Sequence, residues 1–272
     1  VKLRAVIFDW AGTVVDHGSR APIAALREVF EQAGVPVTVA EARIAMGIAK
    51  KDHIRQLTGL PRVAEEWTRV RGALPGETDV EALYERFLPA QIACFGEYSR
   101  VIAGVPATVE GLRGRGVKIG STTGYTPAML EFLAGKAKEQ GFDPDCAVCP
   151  QDVPGGGRPG PWMCYLNAIR MAAGPLWEMV KIGDTPSDIE EGLAAGMWTV
   201  GVTRTGNEAG LTEAEWDAAG PDERATVLAQ AERRLVDAGA HYLVESAGEC
   251  LDVLDEIAGR ISHGERPLPL DV

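Results

Sequence analysis

The stretch Ala5-Val6-Ile7-Phe8-Asp9-Trp10-Ala11-Gly12-Thr13 decides the fold. Val6, Ile7 and Phe8 are β-branched or aromatic and run without polar interruption, the pattern of a short strand buried on both faces of a parallel sheet. Asp9 follows at its carboxyl end, where open α/β sheets place their ligands, and Gly12 permits a sharp turn. An aspartate there is either a nucleophile or metal ligand, or simply the cap of the next turn.

Beyond Asp16 the strand pattern stops. Pro22–Ala33 reads as an amphipathic helix with proline in its first turn, Ile23, Leu26, Val29 and Phe30 on one face, and Gly34 ending it. Helical periodicity continues through Glu41–Ala49, Asp52–Leu57, Val63–Arg71 and Val80–Ile92, with no convincing strand between about residues 19 and 98. An all-helical block between strand-bearing regions predicts an inserted domain: a core of residues 1–18 and 101–272, and an α-helical cap of residues 19–100. Gly18 and Ile102–Gly104 are the candidate hinges.

Strand–helix alternation then resumes. Val117–Ser121 is a strand after the helix Pro106–Arg115, with Thr122, Thr123 and Gly124 at its carboxyl end. Pro127–Gln140 is helical, Cys146–Cys149 a short strand, and Pro154–Pro159 a glycine-rich loop. Trp162–Ala172 is helical, and the strand Val180–Gly183 ends in Asp184. Thr185-Pro186-Ser187-Asp188 opens a helix reaching Ala195. Thr199–Val202 and Tyr242–Val244 are the last strands, and Glu213–Ala238 is helix with a break near Gly220-Pro221. The tail after His263 is expected to fray. The alternation predicts an α/β fold with a Rossmann-like, doubly wound parallel sheet.

The bulk numbers narrow the function. A net charge of −12 over 272 residues argues against nucleic acid or an anionic membrane as the main partner. No apolar run reaches about 18 residues, so no membrane span is expected. The early strand predicts no signal peptide. Five dispersed cysteines suit reduced thiols in a cytoplasm. Cys146 and Cys149 form a C-x-x-C, but no second pair or nearby histidine completes a zinc or redox site.

Three strand ends converge at one edge of such a sheet: Asp9, Thr123 and Asp184. Two close carboxylates repel unless a cation or proton intervenes, and a hard divalent ion such as Mg²⁺ fits oxygen ligands. Thr123 offers a hydroxyl to a phosphoryl oxygen, and Arg158 offers a charged fork suited to phosphate. Asp188 is read as orienting metal waters or a basic residue, although an acid in a helix's first turn is also favoured by the dipole alone.

Strand-Asp, strand-Thr, a loop Arg and Gly-Asp-x-x-x-Asp occur here in the order of the haloacid dehalogenase (HAD) superfamily motifs, which the sequence resembles. Within that superfamily it is similar to the phosphonatase family. The residues carrying the resemblance are Phe8–Thr13, Met46-Gly47-x-x-Lys50, Asp52-His53, Gly120–Thr126, Asp152–Pro154, Arg158-Pro159, Pro161–Met163 and Gly183–Thr185. The resemblance implies hydrolysis of the C–P bond of phosphonoacetaldehyde, in degradation of 2-aminoethylphosphonate. It implies Asp9, Lys50 and His53 as catalytic residues, and Thr123, Arg158, Met46, Gly47 and Tyr125 around the substrate. It further implies Mg²⁺ on Asp9, Asp184 and the Ala11 backbone carbonyl, with Asp188 and Thr185 behind them, and a homodimer formed through the cap.

Ala11 is the most informative position. HAD phosphatases and mutases usually carry an aspartate there as general acid for an alkoxide; alanine cannot donate a proton, and that assistance is commonly worth about 10²–10⁴ in rate. A carbon leaving group can dispense with it if the electrons have another sink. An imine on Lys50 would be that sink. Lys50 and His53 are three apart, on one face of a helix, where an imidazole can shuttle protons. Lys51 points elsewhere and is read as solvated; His17, His241 and His263 are read as structural. Two departures from the family pattern are Ser19, where some relatives carry cysteine, and a Gly155–Gly157 loop one residue longer before Arg158. Two rival readings are a HAD phosphate-monoester hydrolase or phosphomutase, and a non-catalytic protein retaining the fold.

Overall fold

The computed structural model describes residues 3–267. The chain runs β1 (Ala5–Phe8), α1 (Arg20–Gln32), α2 (Val39–Arg43), α3 (Lys50–Gly59), α4 (Pro61–Arg71), α5 (Glu77–Tyr98), α6 (Val105–Gly114) and β2 (Lys118–Thr122). It continues α7 (Pro127–Glu139), β3 (Cys146–Val148), α8 (Trp162–Arg170), β4 (Met179–Gly183), α9 (Pro186–Ala194) and β5 (Trp198–Val202). Then come α10 (Glu213–Ala218), α11 (Pro221–Asp237), β6 (Tyr242–Val244) and α12 (Leu251–Ser262).

The six strands are parallel in the order β3-β2-β1-β4-β5-β6. That order reverses between β1 and β4, the crevice where doubly wound sheets bind their ligands. Phe8 lies opposite Ser121 on one side and Ile182 on the other, so Asp9 and Asp184 leave adjacent strands side by side. Alternation along β1 fills both faces: Val6 and Phe8 join one apolar cluster, Ala5 and Ile7 the other, which α8 covers with Met163 and Cys164.

Helices α1 to α5 form the block between β1 and α6, α5 packing on α1 and α3 and burying Val80, Leu83 and Phe87, while its Phe95 meets Tyr125 and Phe132. The chain enters and leaves this block through paired segments: Val15 bridges Val101 antiparallel, and Ile102 N–H donates to Val14 O at 2.9 Å. The break expected near Gly220-Pro221 separates α10 from α11.

Two expectations are corrected. The helix expected over Glu41–Ala49 stops at Arg43, because Ala45 (φ 60°) and Gly47 (φ 92°) turn the backbone left-handed. The carbonyls so released serve tertiary bonds, Met46 O to Ser187 Oγ at 3.3 Å and Gly47 O to Arg158 Nη1 at 3.2 Å. The amphipathic helix α12 follows the last strand and buries Leu254, Ile257 and Ile261. The tail is held as far as it is described, with Arg260 Nε donating to Glu265 at 2.8 Å and Arg266 over the Trp177 ring at 4.2 Å; residues 268–272 lie outside the described residues.

Candidate active site

Asp9 is placed by strand geometry: its N–H donates to Ile182 O at 2.9 Å, continuing the ladder one residue past β1. Its side chain is buried and accepts from Arg158 Nη2 at 2.6 Å. The longer glycine loop therefore does not cost Arg158 its reach. The same guanidinium donates to Thr122 O and Thr122 Oγ1 (2.9 Å each) and to Glu191 Oε2 (2.9 Å), and lies 3.0 Å from Asp188 Oδ1. These carboxylates hold it fully charged despite burial.

Asp188 is the centre of a second buried pair. It accepts from Lys181 Nζ at 2.6 Å and Thr185 Oγ1 at 2.6 Å. Burial works against its charge, but Arg158 and Lys181 hold it below the usual carboxylate range. Lys181 and Glu191 were missed in the sequence. Their signals were a lysine inside the apolar run Met179–Gly183 and a glutamate one helical turn after Asp188.

Asp184 accepts from Asn207 N (2.7 Å), Ser19 Oγ (3.1 Å) and Thr13 Oγ1 (3.3 Å). Burial, reinforced by Asp9 and Asp188, raises it well above the carboxylate range. Burial also raises Asp9, against Arg158. Asp9, Asp184 and Asp188 bring oxygens within 4.8 Å of one another. Four buried carboxylates face two paired cations, Arg158 and Lys181, so the oxygen-only set fits a hard divalent cation. Ser19 is the unforeseen member: at the departure from the family pattern, its hydroxyl reaches Asp184.

The helical block closes the site from above. Lys50, first residue of α3, is 5 % exposed, and its Nζ lies 5.2 Å from the centroid of the buried Tyr125 ring. Burial lowers it to about 8 from 10.5, with Arg158 adding to the effect and Asp9 opposing it. Met46, Gly47, Lys50, Thr123, Tyr125, Arg158, Asp9 and Ala11 line one cleft closed to about 20 Å³, room for about one water. Gly47 must be glycine: a Cβ there would sit 2.4 Å from Ser187 Oγ and 2.5 Å from Thr185 Oγ1. Thr123 Oγ1 accepts from Tyr125 N at 3.1 Å. A larger cavity of about 500 Å³ lies beside the paired linkers, lined by Asp16, His17 and Arg100 among others. It has no part in this constellation.

His53 is fully buried on the same face as Lys50. Its Nε2 bonds Ala42 O at 3.0 Å; a carbonyl only accepts, so Nε2 carries the proton and Nδ1, which has no hydrogen-bond partner among the described residues, offers a lone pair. Burial, with Lys50 behind it, lowers His53 to about 3, so it stays neutral and is a weak direct base. The sign for stability follows: between about 6.5 and 3 the unfolded chain binds a proton that the folded one refuses. Stability is full above pH 6.5 and falls as pH drops, by at most ~1.4 kcal/mol per unit from this group. Denaturant titrations of wild type and His53→Gln across pH 4–7 are expected to diverge, the variant showing the shallower pH dependence.

The remaining expectations hold no chemistry. Lys51 turns outward to Glu77 and Glu81. His17 Nδ1 bonds Leu211 O at 2.9 Å, and His241 Nδ1 accepts from Thr199 N at 3.1 Å. All five cysteines are free thiols. Burial, helped by Asp152, pushes Cys149 up to about 11, far from a reactive thiolate. Among the described residues no helix is long and apolar enough to cross a membrane.

A family model of haloacid dehalogenase-like hydrolases matches residues 3–196, and the chain belongs to that family. It is 46 % identical over 265 residues to the phosphonoacetaldehyde hydrolase of Syntrophobacter fumaroxidans, covering 97 % of this chain and 95 % of that one. It is 47 % identical over 257 residues to that of Bacillus anthracis, covering 94 % and 97 %. A crystal structure of a phosphonoacetaldehyde hydrolase-like protein from Oleispira antarctica superposes with a TM-score of 0.96 at 41 % identity, covering 98 % of this chain and 96 % of that one. Within the class, the chain therefore groups with the phosphonoacetaldehyde hydrolases.

Proposed function

We propose that this chain hydrolyses phosphonoacetaldehyde to acetaldehyde and phosphate, Lys50 drawing electrons from carbon and Asp9 capturing phosphorus. The observation that carries the reading is a buried amine brought down to about 8 in the same closed cleft as a buried, Arg158-bonded carboxylate.

In the proposed sequence the Lys50 amine adds to the aldehyde and loses water, giving a protonated imine. An Asp9 oxygen forms a bond to phosphorus as the C–P bond breaks, and its electron pair enters the imine to give an enamine. Arg158 and Thr123 hold the phosphoryl oxygens in line. Water then cleaves the aspartyl phosphate, the enamine takes a proton at carbon, and a second water releases acetaldehyde and the amine. One water returns the one lost, so the net reaction consumes a single water. Mg²⁺, held by Asp9, Asp184 and the Ala11 carbonyl with Asp188 and Thr185 behind them, would supply charge neutralisation at the phosphoryl group. His53 serves through a water at Nδ1 rather than as a direct base. Ala11 adds no acid, which disfavours an alkoxide leaving group.

The reading takes residues 19–100 as a moving cap on a core of 1–18 and 101–272. A cleft closed to about 20 Å³ admits no substrate until it opens. The family resemblance supports a homodimer formed through the cap, and the reduced thiols support a cytoplasmic setting.

The test is borohydride reduction in the presence of phosphonoacetaldehyde, followed by peptide mass mapping. A two-carbon phosphonate or ethyl adduct on Lys50 is expected; an adduct-free Lys50 in an enzyme that still turns over would overturn the route. The pH profile checks it independently. Below pH 8 the amine is protonated and cannot attack, so kcat/KM is expected to rise about tenfold per pH unit and level off near pH 8. A limb near 10 would mean the amine is not the one buried here.

A further inference from the structure

Arg43, the last residue of α2, makes four hydrogen bonds across the seam between the helical block and the sheet domain. Its Nη1 donates to Gly18 O (3.0 Å), Asn207 O (3.0 Å) and Asn207 Oδ1 (2.8 Å), and its Nη2 to Gly210 O (2.8 Å). Every acceptor is a neutral oxygen, and Arg43 has no ion-pair partner among the described residues. Gly210 is shaped for it: its φ is 67°, and a Cβ there would lie 2.6 Å from the guanidinium carbon.

What these acceptors also do is the informative part. Asn207 N donates to Asp184 Oδ2 at 2.7 Å, and Ser19, next to Gly18, donates its hydroxyl to the same oxygen at 3.1 Å. Both donors to Asp184 Oδ2 thus lie in or beside segments held by one side chain of the helical block, while Thr13 meets the other oxygen. On its own side Arg43 stands immediately before the loop whose Met46 and Gly47 carbonyls meet Ser187 and Arg158, and which delivers Lys50.

We propose that Arg43 is a positioning residue that locks the 44–49 loop over the cleft and, through Gly18 and the 207–210 loop, sets the Asp184 carboxylate for its cation. The proposal rests on the preceding reading only for which reaction is being positioned.

Arg43→Leu and Arg43→Lys test it, the second keeping the charge but offering no fork and standing in if the first fails to fold. In Arg43→Leu, amide hydrogen exchange over residues 44–49 and 205–210 is expected to quicken about tenfold or more, with α1 and α5 unchanged. Half-saturation by Mg²⁺, followed by tryptophan fluorescence, is expected to rise about tenfold. Turnover of phosphonoacetaldehyde is expected to fall about 10- to 100-fold while borohydride trapping at Lys50 persists, and Arg43→Lys is expected to recover little of either. Exchange and Mg²⁺ response equal to wild type would overturn the proposal. Should wild type fail to act on phosphonoacetaldehyde, the functional reading falls, and the exchange and fluorescence measurements still decide the role of Arg43.

Discussion

Asp9→Asn is expected to abolish phosphate release from phosphonoacetaldehyde, by roughly 10⁴-fold or more, while leaving the borohydride-trapped adduct on Lys50. The substitution is nearly isosteric, and the amide oxygen can still accept from Arg158 Nη2, which holds Asp9 at 2.6 Å. Arg158 also keeps Glu191 and Asp188 as charged partners, so no buried cation is orphaned. One carboxylate fewer among four relieves repulsion in the cation-free protein, so its thermal stability should hold or rise. A folded, trappable and inactive variant assigns phosphorus capture to Asp9. Normal phosphate release would remove the nucleophile from the scheme, because the neighbouring carboxylates carry more side-chain and backbone donors than Asp9, which accepts from Arg158: Asp188 is committed to Lys181 and Thr185, and Asp184 to Asn207, Ser19 and Thr13.

Lys50→Arg is expected to be as damaging, by about 10³-fold or more, and to lose the trapped adduct altogether. Arginine keeps a positive charge beside the Tyr125 ring, which Lys50 Nζ meets at 5.2 Å, so any purely electrostatic role would survive the change. A guanidinium does not deprotonate in this pH range and cannot become an imine. The comparison therefore separates covalent from electrostatic participation. Retained turnover of phosphonoacetaldehyde would rule out the imine, and retained turnover of an aryl phosphate by Lys50→Ala would favour the phosphate-ester reading instead.

The strand ends were legible because they rest on local pattern: an apolar run followed by Asp9, Thr123 or Asp184 says where a parallel sheet presents its chemistry. The helical block was legible from periodicity for the same reason. What escaped depends on distant partners. The turn at Ala45 and Gly47 is held by Ser187 and Arg158, more than 100 residues away, and the segment reads as helix without them. Lys181 and Glu191 look like ordinary charges until the sheet buries them against Asp188 and Arg158. Ser19 read as a departure from a family pattern, yet its hydroxyl finds Asp184 only when the chain after Gly12 curls back. Arg43 reads as one more charge on a helix, and its acceptors are mostly backbone carbonyls, which no side-chain pattern announces.

The paired linkers carry a mechanical consequence. Both crossings of the chain are tied to each other, Val15 to Val101 and Val14 to Ile102, rather than lying apart on the surface. In the proposed movement, a lobe hung from one such ribbon would turn about a single shared pivot. Under the proposed cap movement the amine of Lys50 would meet the carboxylate of Asp9 along a track laid down by the fold before any substrate arrives, so that alignment is inherited from the scaffold and the substrate has only to trigger the swing.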